Sequence, residues 1–449
     1  MGWVDRQKGV RQKGFSLIEL MVAIIIGIMA VYATYRIYMN VESNYRSTET
    51  ANEAQVTGLY ASLTLSKELS NAGAGIMNNG QSYTPPGSTS EIAYLKNCAN
   101  ITTYPTVAGI PTDPTISSPL PLYPLPVAVI PVTGVHPPIS TNPLPDDVYV
   151  FYGTESITDL PIAASNANGG ALTLTVPAGL LGASWAGSAG GNGLAQGSVL
   201  IWAPTGGNCS ALSVQNAVSA GGNGGAVVVT VGAGQNTAGV GPFVIDVGKV
   251  VRRRFFVDTA DLGGATNPAN LGTLKMETWQ VNPNAGNNNW TVGSISPAGA
   301  AVGSISSVPI AANVVAFNVQ YGVATAANSP VNRWITPDIN TVSQIISGAA
   351  GINGIIFPEN IKAIRFGLIV STAEPDTSLG DPALKDSSAP PNSLPAFYTE
   401  TFFADCPTGA TCDPPQTITL QTWQPNQPYG WRYRKYETTV PLQNVIWNP

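Results

Sequence analysis

One carboxylate stands alone in the most apolar part of the chain: Glu19 is the single charged residue between Phe15 and Tyr35. A charge at such a depth in a membrane helix costs on the order of 2.5–3.5 kcal/mol even on mild insertion scales, so it marks a functional role. The nearest basic residues are Lys13 and Arg36. With no cation inside the run, the partner expected for Glu19 lies outside its own helix, and an amine newly exposed at the start of a neighbouring chain would serve. The alternative is that the side chain, so close to the helix start, snorkels to the interface.

Elsewhere the residue types that catalysis needs are sparse. His136 is the only histidine, set in Val135-His136-Pro137-Pro138, so neither a Ser-His-Asp nor a Cys-His arrangement can be assembled around a second base. It reads as a loop residue. The clusters Gly190-Gly191-Asn192-Gly193 and Gly221-Gly222-Asn223-Gly224-Gly225 lack a Gly-Lys-Ser/Thr ending, and Gly248-Lys249 is followed by Val250, so they are turns and not phosphate cradles. Glu374, Asp376, Asp381 and Asp386 offer oxygen ligands that could hold calcium, but their spacing is not that of an EF-hand loop and a solvated loop is the simpler reading. Arg252-Arg253-Arg254 is expected to make edge or surface salt links in a strand entering Phe255-Phe256. Trp423, Tyr429, Trp431, Tyr433 and Tyr436 could form an adhesive patch or, more simply, pack under the final strands. No enzyme, cofactor or metal site is expected.

Four cysteines are too few for a disulfide-built scaffold, yet an even count suits an exported chain. Cys406 and Cys412 flank the turn-forming run Pro407-Thr408-Gly409-Ala410-Thr411 and are the first candidate bridge; Cys98 and Cys209 are the second. Neither pair has the companion ligands of a zinc site.

The elements that must position these residues follow from the placement of proline. Residues 1–84 contain none and all 37 prolines lie from Pro85 onward, so the first part can be one continuous helix and the rest cannot. At about 1.5 Å per residue, Phe15–Tyr35 reaches roughly the 30 Å of a bilayer's hydrocarbon core. Beyond Arg36 an apolar stripe continues at Val41, Tyr45, Thr48, Val56, Leu59 and Leu63, which predicts that this face lies on a folded domain. Asn71-Ala72-Gly73-Ala74-Gly75 predicts the stop. Short β-type runs follow at Asp147–Tyr152, Ala171–Val176, Ser198–Trp202, Ala226–Val231, Phe255–Val257, Val314–Tyr321, Ala363–Ser371, Phe397–Phe403 and Tyr433–Val440. The Pro-rich 105–145 and the Gly-rich and low-charge intervals between them read as loops.

Only 10% of residues are charged, while Gly (47) and Pro (37) are abundant and 44% are hydrophobic. That balance favours a β-rich, loop-rich ectodomain with an ample core over a helical enzyme. The formal charge of −6 argues against a nucleic-acid groove. Loss of residues 1–14 would take it from 20 basic and 26 acidic residues to 16 and 25.

Arg11-Gln12-Lys13-Gly14-Phe15-Ser16-Leu17-Ile18-Glu19-Leu20-Met21 is a basic leader, a small residue and an apolar helix with one acid. Basic flanks stay cytoplasmic, placing the leader inside and the bulk of the chain outside. A secretory signal peptide has a shorter core and an Ala-x-Ala-like site, which Ala30-Val31-Tyr32 does not supply. Gly14-Phe15-Ser16-Leu17-Ile18-Glu19 resembles the prepilin peptidase and N-methylation motif of type IV pilins and type II secretion pseudopilins. The resemblance implies cleavage between Gly14 and Phe15, methylation of Phe15, and Glu19 as the acid that recruits and aligns subunits.

Looser likenesses point to PilW-type minor pilins: Asn44-Tyr45-Arg46, Leu65–Gly73, Arg254-Phe255-Phe256-Val257, Val319–Val323, Ile361–Leu368 and Tyr436–Asn444. Lys67-Glu68 and Pro441-Leu442-Gln443 depart from that family's pattern. What it implies is an α+β fold: a leader over 1–14, a transmembrane helix over 15–36, a periplasmic helical half over 37–72, and a globular domain over 73–449 with variable loops in 85–300. The helix would pack on an antiparallel β-sheet. The implied partners are the prepilin peptidase/methyltransferase, other major and minor pilins, and an inner-membrane assembly platform. A pseudopilin of the J-like type or a filament-tip adhesin are the competing readings.

Overall fold

The computed structural model describes residues 16–74, 127–131, 145–153, 163–167, 171–175, 198–203, 210–219, 226–231, 243–258, 272–280, 307–325, 329–337, 360–372, 397–421 and 431–443. The chain divides into two compact units, Met1–Glu53 and Ala54–Pro449, with the boundary inside one helix.

That helix, α1 (Leu17–Ser70), runs 54 residues. Freedom from proline lets it continue, and Gly27 is carried within it without a break. In the first unit every large apolar residue from Leu17 to Tyr45 is exposed. The stop comes where the glycines predict it. Asn71 N–H bonds back to the Lys67 and Glu68 carbonyls, and Gly73 turns to φ 78°, the left-handed cap conformation.

The second unit is the last turns of α1 and an antiparallel β assembly. Its strands are β1 (Val127–Pro131), β2 (Asp146–Gly153), β3 (Ala163–Ala167), β4 (Ala171–Thr175), β5 (Ser198–Ala203), β6 (Ser210–Ser219), β7 (Ala226–Val231) and β8 (Phe243–Asp258). They continue as β9 (Gly272–Gln280), β10 (Ser307–Val323), β11 (Arg333–Ile335), β12 (Ile361–Ser371), β13 (Phe397–Phe402), β14 (Thr411–Cys412), β15 (Gln416–Gln421) and β16 (Tyr433–Pro441). The central sheet places β10 against β9, β11 and β12, with β16 outside β12 and β2 between β1 and β8. Among the described residues only the short β11–β14 pairing is parallel. β8 serves two sheets: Val250–Phe255 pairs with β2 and Val251–Asp258 with β9, while Phe243–Lys249 pairs with β5. Through that first half it carries an inserted sheet ordered β5-β6-β7-β4-β3.

Alternation in β10 and β12 divides the core in two. Phe317, Val319, Tyr321, Ile364, Phe366 and Leu368 join the cluster that includes Ala61, Leu65 and Leu69 of α1. On the other face Ala316 and Ile369 meet Phe402, Phe403 and Ile418 of the β13–β15 hairpin. Full burial of each Leu or Phe contributes about 1.5–3 kcal/mol, so both layers are needed to hold the sheet.

The helical face that docks differs from the one its large apolar residues predict. Val41, Tyr45, Thr48, Val56, Leu59 and Leu63 are all exposed, whereas Ala54, Gly58, Ala61, Ser62, Leu65, Leu69 and Ala72 are buried. The reason is distance. A helix backbone can approach a sheet closely only along a row of small side chains, and at Gly58 the ring of Tyr436 occupies the space a Cβ would take.

Candidate functional site

The site begins at the start of α1. Ser16 Oγ accepts the Glu19 N–H at 3.4 Å, and Glu19 Oε2 accepts the Ser16 N–H at 2.9 Å. This is a reciprocal capping box, which satisfies amide groups that the first helical turn would otherwise leave orphaned. Glu19 therefore caps its own helix; the cation expected of another chain is a separate partner. The signal was present as Ser16-Leu17-Ile18-Glu19, the S-x-x-E pattern of a helix start. A carboxylate accepts several hydrogen bonds, so the cap leaves capacity for a cation from elsewhere. The Ser16 amide belongs to the Phe15–Ser16 peptide bond, and a cut before Phe15 leaves the cap in place.

Gly14 and Phe15 lie outside the described residues, as do Cys98, Cys209, His136, Trp423, Tyr429 and the Glu374–Asp386 acids. Cys406 and Cys412 are joined by a disulfide, with 5.9 Å between their Cα atoms. Among the described residues no group of three His, Cys, Asp or Glu is placed to hold a metal ion. Trp431 is buried, Tyr433 packs on the β13–β15 cluster and Tyr436 on the helix-side cluster. These three rings serve packing rather than a surface patch.

Charged residues of the β-rich unit hold α1 and the strands together. Arg253 pairs with Glu68 of α1, whose Oε2 also accepts the Tyr152 hydroxyl at 2.8 Å. Arg254 donates through Nη2 at 2.6 Å and Nε at 2.9 Å to Asp147 Oδ2, and through Nη1 at 3.3 Å to Glu277. The strand that carries them is paired on both sides, so Arg253 and Arg254 make partly buried ion pairs within the sheet rather than the edge links expected. Burial and the neighbouring carboxylates act oppositely on Arg254; the attraction of Tyr149, Asp147 and Glu277 prevails and raises its pKa.

Where β10 has no ladder partner on its β9 side, Asp146 Oδ2 accepts the Val319 N–H at 2.8 Å. Burial pushes the Asp146 carboxyl well above the usual range, against the pull of that bond. Arg365 is sandwiched between Trp334 at 4.7 Å and Phe403 at 4.8 Å, donates at 2.7 Å to Gln320 Oε1, and donates at 2.9 Å to the Asp405 carbonyl beside the disulfide loop. Each of these groups is spent on structure.

No such internal contact accounts for the apolar start of α1. The helix is long and apolar enough to cross a membrane, with none of its most apolar stretch buried. A family model described as the prokaryotic N-terminal methylation motif matches residues 10–33. The chain carries a prepilin-type N-terminus. Comparison with curated proteins and with solved structures returned no match. The motif supports a membrane-anchored, type IV pilin-like protein, of either pilin or pseudopilin type, processed by a prepilin peptidase; its family is structural rather than enzymatic. It covers the segment that includes Glu19 and the capping box, and none of the β assembly.

Proposed function

We propose that the protein is a minor pilin, made as an inner-membrane precursor with its leader in the cytoplasm and its β-rich domain in the periplasm. Prepilin peptidase cuts between Gly14 and Phe15, the freed amine of Phe15 is methylated, and the subunit enters a pilus where it primes or modulates assembly. The supporting observation is the methylation motif coinciding with a helix whose large apolar residues from Leu17 to Tyr45 are all exposed. Such a surface needs lipid first and neighbouring helices afterwards. Glu19 then pairs with the amine of an adjacent subunit.

The test is incorporation of Glu19→Ala into sheared filaments, read beside Ser16→Ala. Both variants weaken the helix cap, but only the first removes the carboxylate. The expected result is cleavage of both, with Ser16→Ala retained in filaments and Glu19→Ala lost; normal incorporation of Glu19→Ala would remove the charge-pairing mechanism.

The PilW-type likeness on α1, β8, β10, β12 and β16 favours the pilus over a type II secretion pseudopilin. Subunits co-purifying with the chain discriminate between them, because the N-terminal motif is common to both.

A further inference from the structure

A strand at the edge of a sheet presents a row of N–H and C=O groups with which another chain can pair. At β1 those groups are answered from within the molecule: Val129 donates its N–H to the Tyr321 hydroxyl at 2.6 Å, and that hydroxyl lies 3.5 Å from the Val127 carbonyl. The gap along β10 is answered in the same way by Asp146. Side chains take the place of absent strands at both points.

β16 is treated differently. It pairs antiparallel with β12 alone, with Ile364 opposite Val440 and Val370 opposite Arg434. Just beyond the paired stretch, Thr372 donates to the Arg432 carbonyl and Leu442 to the Lys362 carbonyl, both at 2.9 Å. Residues that exchange bonds across an antiparallel ladder alternate with those that do not. Arg434, Tyr436, Thr438 and Val440 therefore bond to β12, and the backbone groups of Lys435, Glu437 and Thr439 point away from the sheet. Among the described residues no hydrogen bond reaches those outward groups. All three residues are exposed. Pro441, with no N–H to offer, ends the open stretch at the next outward position.

The charges nearby do not guard this edge. A protective lysine stands over an edge and keeps other strands off. Here Lys435 Nζ is drawn back to donate to the Thr401 carbonyl at 2.9 Å, and Glu437 Oε1 accepts the Phe403 N–H at 3.2 Å. Arg434 projects on the other face of the strand and is exposed.

We propose that β16 is the docking edge for an extended segment of a different polypeptide, which adds as a further strand and sets a carboxylate opposite Arg434. Only another extended backbone repeats donors and acceptors at the spacing these outward groups require. The residue opposite Arg434 falls in a non-hydrogen-bonded pair, where side chains approach most closely, so an acid is favoured there. A second copy of β16 does not supply one. In any symmetric pairing of two such edges Arg434 faces one of the positions that bond to β12, and Arg434, Tyr436, Thr438 and Val440 include no acid. This inference goes beyond the assembly role and does not depend on Glu19.

The experiment titrates the full chain in detergent micelles against a neutrally labelled peptide, acetyl-Thr-Val-Thr-Val-Glu-Val-Thr-Val-amide, followed by fluorescence anisotropy. A counterpart carries Lys in place of Glu. The acidic peptide is expected to bind about fivefold more tightly than the basic one, and to slow hydrogen exchange at the Glu437 and Thr439 amides. Thr439→Pro removes one outward N–H while keeping the bonds to β12, and is expected to weaken binding about fivefold or more. Arg434→Glu is expected to reverse the preference between the peptides, and it keeps the proposal testable should Thr439→Pro fail to fold. Absence of binding by the acidic peptide, equal binding of both peptides, protection of other amides only, or wild-type affinity in a folded Thr439→Pro each overturns the proposal. So does concentration-dependent self-association abolished by Thr439→Pro, which would assign the edge to a second copy.

Discussion

Asp146 does the work of a missing strand. Its carboxylate takes the Val319 N–H that no ladder partner accepts, and it does so fully buried beside Asp147. Burial raises both carboxyls above the ordinary value of 3.8, with Arg254 opposing the rise at Asp147. The folded state therefore binds protons that the unfolded chain has already released. The contribution is fully present below the unfolded value and is lost as pH rises through the folded values. The β-rich unit is expected to resist urea better near pH 5 than near pH 8. Asp146→Asn should flatten that dependence, because its amide oxygen still accepts the Val319 bond and carries no charge. A variant with the wild-type pH slope would show that Asp146 is not its source. None of this could be read beforehand, since the two partners are 173 positions apart in sequence. The Ser16–Glu19 cap, three positions apart, was fully legible as a pattern.

For α1 the lesson concerns which residues define a docking face. A stripe drawn through the largest apolar side chains selects Val56, Leu59 and Leu63, all exposed; the buried row is Ala54, Gly58, Ala61 and Ser62 before it reaches Leu65 and Leu69. Hydrophobicity marks surface that needs covering, but close packing follows small size, and here the two point to different faces. Tyr436 completes the fit by filling the notch at Gly58 and donating at 2.9 Å to the Gln55 carbonyl. Gly58→Ala places a methyl where the ring lies, and overpacking of that kind costs about 1–3 kcal/mol. Urea denaturation of the β-rich unit should show a loss in that range for Gly58→Ala, and about 1 kcal/mol for Tyr436→Phe, which keeps the ring and loses the bond. Unchanged midpoints in both would mean that the Tyr436 contact does not secure the helix. Among the strands, the β-branched runs at β2, β4, β5, β7, β10, β12, β13 and β16 were visible from composition. β1 was hidden in a Pro-rich stretch, β3 in Ala-Ala-Ser-Asn-Ala, and β6 and β9 in mixed polar runs. Their strand state comes from partners far along the chain, which local propensity does not register.

At the scale of the molecule, the α+β division was written in the proline distribution, and the membrane helix in an apolar run with Glu19 as its single charge. The joining of the two sheets was not, because it depends on one 16-residue strand, β8, changing partners midway. Phe255–Val257 alone announced that strand. The same asymmetry holds for function: the first residues carry the class, while the β assembly lies outside the N-terminal motif. What unites the proposal is processing: the proposed cut before Phe15 would create the amine offered to Glu19 of a neighbour and would leave the Ser16 cap intact. The most direct test is mass spectrometry of the N-terminal peptide of the protein recovered from producing cells. The account predicts a chain that begins at Phe15 and carries one added methyl group on its amine; a chain that retains Met1 to Gly14, or one cut beyond Glu19, would contradict it.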